Sequence, residues 1–143
     1  MCIRDRPEAI AVGLDLTDRL TQGELRSEQL PWTKGKCFKG SAYVGRFVEW
    51  DNSLESLVDE QNNLSLHLWV NDTLVQSARL SEMTITPAAQ RTELLTWAPV
   101  CAGDYLFTGT PSGVGQLHPK DRVYATLESH DGTVLSFIDT QCD

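Results

Sequence analysis

A glycine-rich segment late in the chain, YLFTGTPSGVG at residues 105–115, is the first place where the sequence suggests chemistry. Its glycines permit positive φ and close approach of another group to the backbone, and its proline fixes one turn. The segment therefore presents N–H groups and threonine hydroxyls, which suit a carboxylate or an oxyanion. It lacks the GxxxxGK(S/T) pattern of a phosphate-binding loop. A plain strand connection is the more common structure of such a segment, so the loop alone does not establish a site.

Two charged side chains upstream are further candidates. From Val12 onwards apolar and polar residues alternate, which predicts a half-buried strand with Asp15 on its polar face. Taken singly, an aspartate in this position is usually a solvated surface group. Lys36 follows in the segment PWTKGKCF, and the sequence itself does not distinguish it from Lys34 and Lys39. Considered alone, Lys36 is equally well explained as an ordinary exposed lysine.

The composition is typical of one domain of moderate size. The chain has 143 residues, 41% of them apolar, and such a chain buries roughly two thirds of its unfolded surface. Its net charge of -8 leaves too few clustered cations for a nucleic-acid partner. No apolar run approaches the roughly 20 residues that cross a bilayer, and the start lacks a secretory signal. We therefore expect a cytoplasmic protein with neither a membrane nor a nucleic-acid partner.

The cysteine and histidine patterns indicate neither a nucleophile nor a zinc site. The four cysteines form no CxxC pair, so reduced thiols are expected rather than a disulfide framework. His67, His118 and His130 share no ligand spacing and are interpreted as structural or surface residues. There is no GxSxG motif, and Cys37 has no identifiable base.

Helix signals are few. Thr21 starts a capping-box pattern, which predicts a short helix over residues 22–30. Thr86 and Pro87 are typical of the N-cap and first turn of a second helix, and the apolar pattern that follows predicts that this helix continues to Pro99. Two segments are expected to lack regular structure: residues 31–45, irregular and partly extended, and residues 51–63, a polar surface loop.

Strand signals outnumber helix signals. Residues 64–70 alternate, and Asn71-Asp72 offers a tight turn into TLVQ, which predicts a hairpin. Asp131-Gly132 is a two-residue turn signal between RVYATLE and TVLSFI, and DYLFTG is expected to form one more strand. The sequence thus predicts an α+β fold, mainly β, with an antiparallel or mixed sheet and two short helices.

Four motifs in order carry a resemblance to a known family. They are GLDLTDRLTQ, PWTKGKCF, VND with the glutamine that follows it, and GDYLFTGTPSGVG, within residues 7–138. They resemble the fumarylacetoacetate hydrolase family, in particular its acylpyruvase and 2-oxo-acid isomerase or hydratase-like members. The resemblance implies the family's mixed β-roll of the C-terminal type, a homodimer, and a Mg²⁺ or Mn²⁺ ion bound by three carboxylates, on which a 2-oxo acid chelates.

The resemblance also implies roles for five residues. Asp15 matches the third metal carboxylate, and Lys36 matches the lysine beside the metal. Arg19 and Gln22 match the arginine and glutamine that line the substrate site, and Arg19 and Lys36 are the expected catalytic residues. Thr110 matches the threonine of TGTP that holds the substrate carboxylate.

A divalent ion suits the implied chemistry. Mg²⁺ prefers oxygen ligands, and a carboxylate with an adjacent ketone can replace two of its waters. A polarised 2-oxo group can undergo carbon–carbon hydrolysis, decarboxylation, isomerisation or hydration through an enolate, whose charge Lys36 could share. The resemblance does not choose among these reactions.

The sequence departs from the family pattern in two places. Leu20 follows Arg19 where the family usually has an aspartate. The family's other two metal ligands come from a Glu-x-Glu pair upstream of the aspartate, and no Glu-x-Glu occurs in this sequence. Glu49-Trp50-Asp51 is the segment most similar to a Glu-x-Glu pair, and it lies downstream of Asp15. One carboxylate alone holds Mg²⁺ poorly.

These departures lead us to expect an incomplete enzyme. We interpret residues 1–6 as a non-native start and residues 7–143 as a partial catalytic domain whose acid–base residues lie upstream. We expect it to bind Mg²⁺ or Mn²⁺ weakly and to turn over 2-oxo acids negligibly. The alternative is a non-catalytic β-roll module for dimerisation or small-carboxylate binding that has lost its metal site.

Overall fold

The computed structural model describes residues 9–143, and the interpretation of residues 1–6 lies outside them. The described part divides into two compact units. One unit is Gly13–Val44, and the other consists of residues 9–12 together with Gly45–Asp143.

Strands outnumber helices in the described residues, as the sequence predicts. The strands are β1 (Ala9–Ile10), β2 (Gly13–Asp15), β3 (Ala42–Val44), β4 (Val48–Glu49), β5 (Ser65–Val70), β6 (Thr73–Arg79), β7 (Arg122–Glu128) and β8 (Val134–Gln141). The α-helices are α1 (Arg19–Ser27), α2 (Thr33–Lys36) and α3 (Pro87–Leu94), and two 3-10 turns occupy Glu55–Val58 and Leu80–Glu82. No helix among residues 9–143 has the length and apolar content that a bilayer crossing requires.

The larger unit is built on an antiparallel sheet with the strand order β6-β5-β7-β8. Strand β7 lies between β5 and β8, and its side chains Val123, Ala125 and Leu127 are only 1–3% exposed. Ile138 of β8, which faces Ala125 across the ladder, is 2% exposed. Burial of these apolar side chains is the main stabilising contribution to the sheet. The prediction of a mainly antiparallel β structure is confirmed.

The two predicted hairpins form, but their turns differ. Asn71 and Asp72 both have positive φ, 49° and 66°, as a two-residue turn of the favoured hand requires. The Asn71 side chain also donates to Asp121 and accepts from the backbone N–H of Arg122. The prediction of a two-residue turn in the second hairpin is wrong. The ladder ends at Glu128 and Val134, so the connection is longer, and of Asp131 and Gly132 only Gly132 has positive φ.

The prediction of a strand at DYLFTG is also wrong. Residues 104–109 have no strand assignment, and Tyr105, Leu106 and Phe107 are each more than a third exposed. Tyr105 instead stacks on Phe47 with ring centroids 5.1 Å apart. Aromatic and branched residues favour a strand only where a neighbouring strand pairs with them, and no described strand pairs with this segment.

The second predicted helix begins where expected. The Thr86 side chain accepts from the backbone N–H of Ala89 at 3.2 Å, and Pro87 occupies the first turn. The helix ends at Leu94, well before Pro99.

The first predicted helix begins earlier than expected. It starts at Arg19 because Asp18, and not Thr21, is the N-cap. The Asp18 carboxylate accepts from the backbone N–H of Thr21 at 3.0 Å and from its hydroxyl at 2.7 Å. These hydrogen bonds lower the pKa of Asp18, the hydroxyl having the larger effect.

Both segments expected to be irregular contain short regular elements. Residues 31–45 include α2 and β3, and residues 51–63 include the turn Glu55–Val58. Leu57 of that turn is 6% exposed and belongs to the core, so the segment is not a purely solvated loop.

Candidate functional site

Two polar side chains surround the amino group of Lys36 in the smaller unit. Lys36 Nζ donates to Asp15 Oδ2 at 2.7 Å and to Thr17 Oγ1 at 2.8 Å. The Lys36 side chain is 34% exposed and that of Asp15 is 52% exposed, so a small molecule can reach the pair. These contacts distinguish Lys36 from the neighbouring lysines, which the sequence could not do.

Short backbone elements bring these residues together. Strands β2 and β3 pair antiparallel, with Asp15 opposite Ala42. The backbone N–H of Asp18 donates to the carbonyl of Gly35 at 3.0 Å, which ties the start of α1 to α2. Lys36 ends α2, and its side chain reaches the end of β2.

Gly35 allows the two helices of this unit to approach closely. It is buried, and a Cβ at this position would lie 3.1–3.2 Å from the backbone N, Cα and Cβ of Gln22. Such distances are tighter than ordinary packing, so a larger residue would push α1 and α2 apart. The position of Gln22 relative to Lys36 therefore depends on this glycine.

Arg19 and Gln22, the residues expected to line a substrate site, contact each other on α1. Arg19 Nη1 donates to Gln22 Oε1 at 3.4 Å, a long hydrogen bond. Leu20 is 76% exposed and offers the arginine no carboxylate. A guanidinium has five N–H donors, so this one bond leaves donors that an anionic substrate could engage.

Thr110 lies in the larger unit, where a glutamine amide holds its loop. Gln76 Nε2 on β6 donates to the Thr110 hydroxyl oxygen at 3.1 Å, to the Pro111 carbonyl at 2.8 Å and to the Ser112 carbonyl at 3.3 Å. Thr110 is exposed, so its hydroxyl can meet a ligand. That Thr110 holds a substrate carboxylate stays a prediction.

A second glutamine and a glycine fix the same loop. Gln90 Nε2 on α3 donates to the carbonyls of Thr108 and Ile85, both at 2.9 Å. Gly113 has a φ of +97°, and a Cβ there would overlap the carbonyl oxygen of Val75. The glycine-rich composition thus has a structural cause at Gly113, where only glycine fits without strain.

A divalent metal does not fit the described residues by themselves. Within residues 9–143, no three His, Cys, Asp or Glu side chains lie together as a metal-binding group. Asp15 contributes one carboxylate, and its Oδ2 already accepts from Lys36. We therefore assign no chemical step to a metal ion.

A surface depression of about 540 Å³ on the sheet contains none of the candidate residues; its lining residues are Trp69, Asp72, Arg122, Tyr124 and Asp139. Arg122 donates to both carboxylate oxygens of Asp139, at 3.1 and 2.9 Å. These hydrogen bonds lower the pKa of Asp139 and raise that of Arg122. The two charges satisfy each other, so we interpret this depression as structural. The candidate residues lie elsewhere: Asp15, Arg19, Gln22 and Lys36 in Gly13–Val44, and Thr110 in the larger unit.

Comparison with known families decides the relationship. Residues 8–135 match the family model described as fumarylacetoacetate (FAA) hydrolase, C-terminal. The chain belongs to the fumarylacetoacetate hydrolase family. This confirms the resemblance that the four motifs carry.

A named relative indicates the kind of activity found in the family. The mitochondrial oxaloacetate tautomerase of Bos taurus is 33% identical over 117 residues, which cover 82% of this chain and 51% of that protein. The chain spans about half to three fifths of the length of the curated relatives it matches.

Solved structures support the same fold. A fumarylacetoacetate hydrolase family protein of yeast superposes with a TM-score of 0.84 at 27% identity, covering 95% of this chain and 55% of that one. The fumarylpyruvate hydrolase of Pseudomonas aeruginosa, crystallised with Mn²⁺ and pyruvate, gives a TM-score of 0.76 at 27% identity, covering 95% and 55%. The expected fold, mainly β with short helices, is confirmed.

Sequence reasoning missed two residues of the candidate site. The sequence contains Gln76 only as part of a motif, and no pattern indicates Gln90. Neither residue type signals chemistry by itself, and both act on a loop far away in the sequence. The carbonyl groups of residues 108–115 need donors, but they do not specify which side chain supplies them.

Proposed function

We propose that this chain is the C-terminal part of an enzyme that acts on 2-oxo or 2,4-dioxo acids by carbon–carbon hydrolysis, isomerisation or hydration through an enolate. Three findings support the proposal: the family match, the relative named an oxaloacetate tautomerase, and the related fumarylpyruvate hydrolase that binds pyruvate. We propose a homodimer for the complete protein and a cytoplasmic location, although the bovine relative is named mitochondrial.

The pairing of Lys36 with Asp15 and Thr17 carries the proposal. An ammonium group has three N–H donors, and two of them are taken at 2.7 and 2.8 Å. The third can donate to the oxygen of a 2-oxo acid on which negative charge develops as the enolate forms. Because both other donors are held, this third donor needs little reorganisation when the charge appears.

The remaining candidate residues have binding roles in this proposal. Arg19 and Gln22 contact the substrate from α1, and the Thr110 hydroxyl donates to its carboxylate. Arg19 also acts as a catalytic residue by stabilising negative charge on the substrate.

We also propose that Asp15 is one carboxylate ligand of a Mg²⁺ or Mn²⁺ ion. The related structure that contains Mn²⁺ supports a divalent metal in the family. Mg²⁺ gives up its waters reluctantly, so several charged oxygens must converge to hold it. The described residues assemble no such group, and we expect the 143-residue chain to bind Mn²⁺ weakly and to show negligible turnover.

The test uses residues 9–143 joined behind the upstream part of the bovine relative. Keto–enol interconversion of oxaloacetate is followed by ultraviolet absorbance with Mn²⁺ present, and Mn²⁺ affinity is measured by calorimetry. We expect Lys36→Met to lower kcat/KM about a hundredfold, as loss of a donor to a developing oxyanion does. Asp15→Asn should abolish Mn²⁺ binding.

The matched control is Lys34→Met, because Lys34 is exposed on the same short helix and should leave activity unchanged. Unaltered activity in Lys36→Met would refute the assignment of Lys36. Robust Mn²⁺-dependent turnover by the 143-residue chain would contradict its incompleteness. A joined protein that folds and binds pyruvate without turnover would support the non-catalytic binding module, which the missing three-ligand group in the described residues favours.

A further inference from the structure

The Gln76 amide has an orientation that its neighbours determine. Two of its three partners, Pro111 O and Ser112 O, are backbone carbonyls, which can only accept hydrogen bonds. The side-chain oxygen of Gln76 would repel both carbonyls, so the amide nitrogen must face the loop. The two carbonyls thus determine which way the Gln76 amide faces.

The same orientation fixes how Thr110 hydrogen-bonds. Gln76 Nε2 is a donor only, so the Thr110 oxygen accepts at 3.1 Å and does not donate along this line. The amide has two hydrogens for three acceptors, Pro111 O at 2.8 Å, Thr110 Oγ1 at 3.1 Å and Ser112 O at 3.3 Å, so at least two of these acceptors share one hydrogen. The hydroxyl proton of Thr110 must therefore point elsewhere, and the exposed side chain allows it to point at a ligand.

We propose that Gln76 is a positioning residue that keeps the Thr110 hydroxyl as a hydrogen-bond donor for the carboxylate of a 2-oxo acid. This inference rests on the proposed function, since it names the residue that prepares Thr110 for its substrate. A hydroxyl that accepts from an amide is polarised as a donor, which strengthens its bond to a carboxylate.

Gln90 provides a matched comparison within the same loop. It also uses its amide nitrogen, but both acceptors are backbone carbonyls, those of Ile85 and Thr108. Loss of the Gln90 amide removes loop support without changing the partner of the Thr110 hydroxyl. The two glutamines therefore separate a positioning role from a merely structural one.

The first measurement tests the orientation and needs no ligand. The side-chain amide protons of Gln76 are observed by NMR in the 143-residue chain and in two variants of its partner. Thr110→Val should shift these amide resonances because the acceptor is lost, whereas Thr110→Ser, which keeps the hydroxyl, should leave them near their original positions. Equal resonances in the valine variant and the unmodified chain would overturn the proposal.

The second measurement tests the consequence for binding. Pyruvate is titrated into the joined protein described under the proposed function, with Mn²⁺ present, and the dissociation constant is taken from the shift of the backbone amide of residue 110. Thr110→Val and Gln76→Leu should each weaken binding by about ten- to a hundredfold, the range expected for one hydrogen bond to a charged carboxylate. The double variant should bind about as weakly as either single variant, because both changes disable the same hydrogen bond from residue 110 to the carboxylate.

Gln90→Leu is the control for loop support. In the double variant with Thr110→Val, the losses of affinity caused by Gln90→Leu and by Thr110→Val should add, because Gln90 supports the loop backbone and not the Thr110 hydroxyl. If the loss of affinity caused by Gln76→Leu also adds to that of Thr110→Val, Gln76 is a structural residue and the positioning role is overturned. If pyruvate shifts Thr110 with full affinity in Gln76→Leu, the positioning role also fails while the proposed function stands. If pyruvate shifts no resonance of the joined protein with Mn²⁺ present, the proposed function fails and this inference with it.

Discussion

The four-stranded sheet and the unit Gly13–Val44 are stabilised in different ways. In the sheet, Val123 and Ile138 are 1% and 2% exposed, and long ladders fix their register. In Gly13–Val44 the one fully buried residue is Gly35, and short elements are joined by polar contacts such as those of Lys36. The sheet depends on apolar burial, whereas the smaller unit depends on hydrogen bonds and one close approach.

This difference relates stability to chemistry. A side chain that must meet a substrate has to stay accessible, so the unit that carries Asp15 and Lys36 cannot bury them in an apolar core. Their geometry is set by backbone contacts of the glycine and the helix cap. The sheet carries the larger share of the hydrophobic stabilisation and can tolerate no polar group without a partner.

The largest expected effect is the loss of stability when a buried side chain of the sheet is truncated, compared with truncation of an exposed side chain in the smaller unit. Ile138→Ala should lower the free energy of unfolding by about 2–5 kcal/mol, because it leaves a cavity in the sheet core. Leu20→Ala in α1 should change it by less than about 0.5 kcal/mol, because Leu20 is 76% exposed. Urea denaturation followed by circular dichroism measures both. Equal effects would show that α1 is covered in solution.

A pair of glycine substitutions should give opposite signs. Gly113→Ala should destabilise the chain by about 1–3 kcal/mol, since it combines a positive φ with overlap at Val75. Gly23→Ala should stabilise it by about 0.5–1 kcal/mol, because Gly23 lies in α1 with no atom within 4 Å of a new Cβ. Thermal unfolding of both variants tests this contrast, and a stabilising Gly113→Ala would contradict the geometry of the loop.

The smallest expected effect is the pH dependence of stability that two exposed carboxylates contribute, one in each unit. The Ser129 hydroxyl, with the Thr133 N–H, lowers the pKa of Asp131 to about 2, and Thr21 lowers the pKa of Asp18. Each pKa is lower in the folded than in the unfolded chain, so each contribution to stability is present above the ordinary value near 4 and is lost as pH falls through the folded pKa.

Carboxyl titration by NMR should show both depressed pKa values. The destabilisation caused by Asp131→Ala should shrink as the pH falls from about 5 to about 2. A constant difference over that interval would show that the ionised form is not preferred in the folded chain.

The sequence predicted the sheet better than the smaller unit, for a physical reason. Alternation at residues 64–70 and 122–128 repeats over six or seven positions, and the strands that it predicts are present. In residues 13–44 the elements are three to nine residues long, and the start of α1 depends on the side chain of Asp18. Asp18 displaced Thr21 as the cap because a carboxylate can accept both donors of that threonine.

The roles of the candidate residues stay predictions. The structure brings Lys36 into contact with Asp15, and the residues alone did not predict that contact because Lys36 cannot be told from Lys34 and Lys39 in the sequence. The roles of Gln76 and Gln90 depend on contacts between positions 18 to 36 residues apart. No local pattern encodes such contacts, so they appear only when the chain is folded.

The turn at Asn71 has a practical consequence for labelling. Hairpin tips are the usual places for peptide insertion, but the Asn71 side chain binds Asp121 and Arg122 of the neighbouring strand entry, at 2.7 and 2.9 Å. An epitope inserted at this tip would break contacts outside the hairpin. The tip around Asp131 is closed by its own residues, Ser129 and Thr133, and is the more permissive place for a tag.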